Sequence, residues 1–162
     1  MTSFFRQGKK GDRLAAEKYG LSLPPWRSGY EFLYPEAKAV LEKLHRKYRL
    51  GIIANQNPGT EERLMKFGID GYFELILASA EEGIAKPDSE IFLRALCRAK
   101  CSPENAAMIG DRLDNDIAPA NRLGITTVRV LTGFAQYAQP ACDEEIPSYT
   151  VTGLYGLFDI FT

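Results

Sequence analysis

The sequence predicts an α/β fold in which a parallel sheet carries helices on both faces. Three observations predict it. Short, continuously apolar runs recur, of the kind found in strands buried on both faces. Between them lie segments whose apolar residues fall three and four apart, the spacing of one helix face. The two kinds alternate along the chain, which is the pattern of parallel βαβ units.

The chain has 162 residues, of which 45% are apolar and 25% charged, ordinary values for a globular protein. This length supports one domain, or one domain with an arm, and a hydrophobic core without staples. Lys plus Arg number 20 and Asp plus Glu 21, a net charge of −1. That balance argues against nucleic-acid or membrane-surface partners, and no apolar run is long enough to span a membrane. The first residues, Met1 to Arg6, lack a basic stretch followed by an apolar one, so a cytoplasmic location is expected. Three cysteines, with Cys97 and Cys101 four apart, favour reduced thiols over a disulfide framework. A single histidine, His45, leaves little basis for a His-rich metal site or a Ser/His/Asp triad.

Residues 1 to 34 read as an N-terminal arm. Within it a short helix from Asp12 to Tyr19 is closed by Gly20, and Leu23–Gly29 forms a turn-rich connector. The regular pattern begins near Pro35 with a helix whose stripe is Ala37, Val40, Leu41, Leu44 and Tyr48. A strand is predicted at Arg49–Ala54, then a turn at Asn57–Thr60 and a helix from Glu61 to Phe67 closed by Gly68. A second strand, Glu74–Ala78, precedes a helix over Ser89–Lys100 that starts after Pro87-Asp88. The third strand is Ala106–Gly110, followed by a helix from Ile117 to Leu123 that tolerates Pro119 only in its first turn. A fourth strand is Thr126–Leu131, a short fifth Tyr149–Val151, and a final helix lies within Gly153–Phe161.

Ligands of open parallel sheets bind beyond the carboxyl ends of the strands. Three strand ends carry chemistry. At the third, Gly110-Asp111-Arg112-Leu113-Asp114-Asn115-Asp116 places three carboxylates just past a buried strand. Such acids repel one another and are costly to desolvate, unless a hard cation such as Mg²⁺ joins them. The competing reading is an acidic helix start in which Asp114 and Asn115 cap and Asp116 complements the dipole. Lys86 in Ala85-Lys86-Pro87-Asp88 is able to neutralise phosphoryl oxygens and a carboxylate together; otherwise it is an exposed lysine before an ordinary helix. The end of the first strand, Ala54-Asn55-Gln56, offers backbone N–H groups and an amide to an anion, or is simply a polar turn.

In this order and spacing, Ala54-Asn55, Lys86-Pro87-Asp88 and Gly110-Asp111-x-x-x-Asn115-Asp116 resemble the motifs of the haloacid dehalogenase superfamily over residues 35–162. The resemblance implies a Rossmann-like three-layer core and a Mg²⁺-dependent phosphomonoester phosphatase acting through an aspartyl-phosphate. It assigns Asp111 and Asp116 to the metal. Lys86 takes a catalytic role, steadying the phosphoryl group, and Ala54, Asn55 and Lys86 fall at the phosphate-binding positions. The substrate would be a small phosphate ester.

The chain departs from that pattern twice. Ala54 has no hydroxyl where the family has Ser or Thr. More seriously, the Asp-x-Asp motif that supplies the nucleophile is absent, so no nucleophile is assigned. In the family its strand lies between those at Arg49–Ala54 and Ala106–Gly110, and a cap domain precedes this point. The arm at 1–34 then reads as the remnant of a cap. Asp12 is the only aspartate before Pro35. Leu157-Phe158-Asp159-Ile160-Phe161 echoes the lead into the motif, but its spacing equally fits a terminal amphipathic helix. The expectation is therefore a phosphatase core inactive or incomplete as it stands. The alternative is a non-catalytic binding module that forms a homodimer through exposed sheet edges.

Overall fold

The computed structural model describes residues 16–22 and 31–161. Two compact units divide the chain, Met1–Phe32 and Leu33–Thr162. In the first, residues 16–18 are helical and the chain turns at Gly20, whose φ of 63° lies in the left-handed region. The earlier part of the expected helix and the connector at Leu23–Gly29 lie outside the described residues.

The second unit alternates helices and strands. Helix α1 (Ala37–His45) buries Val40 and Leu44; Tyr48, read as part of its stripe, falls beyond its end and is exposed. Strand β1 (Leu50–Ala54) leads to helix α2 (Thr60–Phe67), which ends at Gly68 with φ 63°. Strand β2 (Phe73–Ala78) runs straight into a one-turn helix, α3 (Ser79–Glu82). Helix α4 (Ser89–Ala99) starts where the Asp88 carboxylate accepts the Glu90 N–H. Strand β3 (Ala107–Gly110) is followed by a π-helical turn, Leu113–Ile117, and helix α5 (Ala118–Arg122), with Pro119 in its first turn. Strands β4 (Thr126–Val130) and β5 (Tyr149–Val151) and a terminal helix α6 (Phe158–Phe161) complete the unit.

Among the described residues every strand pairing is parallel, as the apolar runs imply. Among the described residues the pairings make two sheets, β1-β2 and β3-β4-β5. Helices α4 and α5 cover one face through Phe92, Ile91, Ala95 and Ala120, packed with Leu77 and, from the facing strands, Ile53 and Met108. On the other face Val40, Leu44 and Leu157 pack with Val128 and Val130 of β4, joined by Leu50 and Phe161. Both clusters therefore draw on both sheets, and helical layers bridge them from above and below.

Among the described residues no strand lies between β1 and β3. A slot of about 910 Å³ runs there instead, lined by both strands and by α4. Its consequence is visible in burial. Strand β4, flanked on both sides, is buried at four of five positions, whereas β3 alternates between exposed and half-buried. Ile109 of β3 keeps 36% of its surface exposed although its run reads as core.

Candidate active site at the strand ends

Three chain segments meet at the carboxyl ends of β1 and β3. Strand β3 delivers Gly110 and Asp111, and the π-turn that follows bends Asp116 back over the strand end. Both the Asp116 and the Ile117 N–H groups reach the Arg112 carbonyl, at 2.9 and 3.2 Å. Single π-turns of this kind concentrate at functional sites. The return brings Asp116 so close to β3 that a Cβ on Gly110 would lie 2.5 Å from the Cβ, Cγ and Oδ2 of Asp116. Only a glycine fits there, because Asp116, six residues further on, folds back against the strand end.

Asp116 is 4% exposed. Its Oδ1 accepts from Lys86 Nζ at 2.6 Å, and its Oδ2 accepts from the Arg112 backbone N–H at 3.0 Å. Lys86 is itself largely covered, its side chain 11% exposed. These contacts overturn two bland readings. Lys86 is not a solvated lysine. Asp116 is not a helix-dipole carboxylate, and Asp114 does not cap: it forms a bidentate pair with the Arg112 guanidinium at 2.6 and 3.0 Å.

Asn55 fixes the lysine from the β1 side. Its Nδ2 donates to the Lys86 carbonyl at 2.7 Å and its Oδ1 accepts the Lys86 N–H at 2.8 Å. The amide expected to face an anion thus clamps the backbone that carries Lys86. Ala54 ends β1 opposite Ala78. Lys86, Asp111 and Asp116 all line the slot between the sheets; Ala54 and Asn55 do not.

Burial pushes the Asp111 carboxyl above the ordinary aspartate range, and the Asp116 charge pushes it further; a backbone hydrogen bond, Arg112 and Lys86 pull the other way. Two crowded carboxylates with one cation between them make an electron-rich donor set short of positive charge. Among the described residues no three His, Cys, Asp or Glu gather around one point. A pair of hard oxygen donors suits Mg²⁺, which takes one or two carboxylates and completes its shell with water and phosphate, and does not suit Zn²⁺.

One further charge escaped sequence reasoning. Arg129 lies in β4, paired with Gly110 of β3, and is 6% exposed. Its Nη2 donates to the Ala135 and Ala138 carbonyls, both at 2.8 Å, holding the loop after β4. A Cβ on Gly133 in that loop would stand 4.0 Å from Asp111 Oδ2. Burial lowers the Arg129 pKa, opposed by the fields of Asp111 and Glu145. The signal was present as a lone arginine inside Thr126-Thr-Val-Arg-Val130.

Residues 26–124 match the family model described as haloacid dehalogenase-like hydrolase. The chain is 34% identical over 129 residues to a glyceraldehyde 3-phosphate phosphatase of Methanopyrus kandleri, covering 78% of this chain and 55% of that protein. It is 37% identical over 128 residues to a phosphoserine phosphatase of Thermus thermophilus, covering 78% and 50%. Among solved structures, the HAD-hydrolase YfnB of Bacillus subtilis, bound to magnesium, superposes with a TM-score of 0.71 at 28% identity, over 80% of this chain and 56% of that one. The chain spans about half the length of the curated relatives it matches.

Proposed function

The chain belongs to the haloacid dehalogenase-like hydrolases, and on that premise we propose that residues 35–162 are the cation- and phosphate-binding core of a Mg²⁺-dependent phosphomonoester phosphatase. The observation that carries this reading is the buried Lys86–Asp116 pair beside Asp111, at the strand ends and open to the slot. Asp111 and Asp116 would hold Mg²⁺, which supplies charge neutralisation to a phosphoryl group. Lys86, fixed by Asn55, has one of its three N–H donors on Asp116 and two left for phosphoryl oxygens. With Ala54 lacking a hydroxyl, backbone N–H groups at the end of β1 are the remaining donors on that side.

A phosphatase of this type needs a nucleophilic carboxylate, and the described residues place none between β1 and β3. The chain by itself is then a binding core with little or no turnover. Residues 1–34 are the end of a cap, the element that selects substrate. Small phosphate esters are the substrate class, and phosphatase names among the relatives support it.

Calorimetric titration with orthophosphate tests the reading. Binding is expected to require Mg²⁺ and to weaken about tenfold or more in Lys86→Met, a loss of about 1.4 kcal/mol. Release of phosphate from small phosphomonoesters by this chain is expected to be negligible. Phosphate binding that ignores both Mg²⁺ and Lys86 would overturn the assignment.

A further inference from the structure

Resting on the reading of Asp111 and Asp116 as the Mg²⁺ pair, we propose that Arg129 is a positioning residue for the cation site. Its buried guanidinium anchors the loop after β4, and that loop holds the Asp111 carboxylate in place.

The position of Arg129 in the sheet comes first. Val128 and Val130 pack with Val40 and Leu44 of α1. Alternation along the strand therefore turns Thr127 and Arg129 to the other face, where α5 lies. The Thr127 hydroxyl meets that helix, donating to Asn121 Oδ1 at 2.8 Å. Arg129 stands opposite Gly110, the residue that hands β3 over to Asp111. Charge is costly to bury and is normally met by an opposite charge. Both hydrogen bonds of Arg129 go to main-chain carbonyls instead, and its Nε is buried with no hydrogen-bond partner among the described residues. An apolar residue would serve a core strand better, so the arginine is there for what it holds.

It holds a short arc that borders the acid pair. Gly133 opens the arc with φ 58°, in the left-handed region, and a Cβ there would stand 4.0 Å from Asp111 Oδ2. The 3₁₀ turn Phe134–Tyr137 follows, closed by the Ala138 N–H on the Ala135 carbonyl at 3.0 Å. Arg129 Nη2 takes the carbonyls of both Ala135 and Ala138, so one planar group pins the turn at two points. From the exposed side, Gln136 Nε2 donates to the Gly133 carbonyl at 2.7 Å. Asp116 is fixed by Lys86 and the Arg112 N–H; on the Asp111 side the pinned loop plays that part. Mg²⁺ demands near-ideal octahedral geometry, so a carboxylate free to swing holds it less well.

A direct electrostatic role for Arg129 has the opposite sign. A cation beside a cation site opposes Mg²⁺ binding, so removing its charge would tighten binding. Removing an anchor loosens it.

Calorimetric titration of the intact chain with MgCl₂, without phosphate, separates the two. Arg129→Met removes charge and anchor, and Arg129→Lys keeps the charge but loses the planar fork. Both are expected to raise the Mg²⁺ Kd about tenfold. Gln136→Ala releases Gly133 from the exposed side and is expected to raise Kd about threefold with Tm unchanged; it carries the test alone if the buried variants do not fold. Tighter binding in Arg129→Met with Arg129→Lys unchanged overturns the anchor in favour of a direct field. A fall in Tm with Kd unmoved in all three variants leaves Arg129 a purely structural residue and also overturns it. Wild type that binds no Mg²⁺, or binds it equally after Asp111→Asn, overturns the reading of the site and the anchor with it. Failure of the anchor alone leaves wild-type Mg²⁺ binding intact, so the two failures are told apart.

Discussion

Replacing Lys86 by Met removes the ammonium and keeps most of the side-chain volume. The partners are 11% and 6% exposed, so solvent cannot replace the lost charge. Breaking a buried pair from one side costs about 3–5 kcal/mol, because the remaining charge is stranded. Here Asp116 keeps the Arg112 N–H and still faces Asp111. The retained hydrogen bond places the loss near the lower limit, about 3 kcal/mol. For a domain of this size that is a fall in Tm of roughly 6–12 °C. Urea unfolding of wild type, Lys86→Met, Asp116→Asn and the double variant measures it. The double variant is expected to recover part of the loss, with a coupling of about 1.5 kcal/mol or more. A loss in Lys86→Met below about 1 kcal/mol, with additive singles, would put the pair at the worth of a surface ion pair and refute the reasoning.

Three other expectations follow from the same geometry. Gly110→Ala drives a Cβ into the buried Asp116 carboxylate, whose shift separates it from Lys86; a loss of about 1–3 kcal/mol is expected in thermal unfolding, and wild-type stability in this variant would show that the strand end has room. Asp111, with its pKa raised by burial and by Asp116, binds protons more readily folded than unfolded. Its contribution is therefore most favourable at low pH and is lost as pH rises from the ordinary aspartate range through the raised folded value. Asp111→Asn should flatten that decline and gain stability over wild type near neutrality. Mg²⁺ at about 100 times its Kd should stabilise wild type by about 2.7 kcal/mol and the variant far less. Matching pH profiles, or equal Mg²⁺ stabilisation, would contradict this.

The candidate site was legible in sequence because its residues stand in rare combinations at strand ends. Lys86, Asp111 and Asp116 stand out in Ala-Lys-Pro-Asp and Gly-Asp-x-x-x-Asn-Asp, where charge follows directly on apolar runs. Asn55 was singled out, but its role as a clamp on the Lys86 backbone depends on two loops 31 residues apart meeting. Arg129 was read as part of a strand because its anchor, the carbonyls of Ala135 and Ala138, exists only once the loop folds back.

The order of strands and helices and their apolar faces were set by local pattern, and the alternation of the two implied parallel pairing. Hydrophobic spacing fixes which side of each element is dry, and Asp88, Gly68 and Pro119 fix where helices start and stop. Which strands touch was decided only in three dimensions. The runs at β1 and β3 read as strands buried on every side, yet burial is a property of neighbours, and nothing local says whether a neighbour is present. Helices α1, α4 and α5 pack across both sheets, and among the described residues they leave a slot between β1 and β3 with the acid pair at its end.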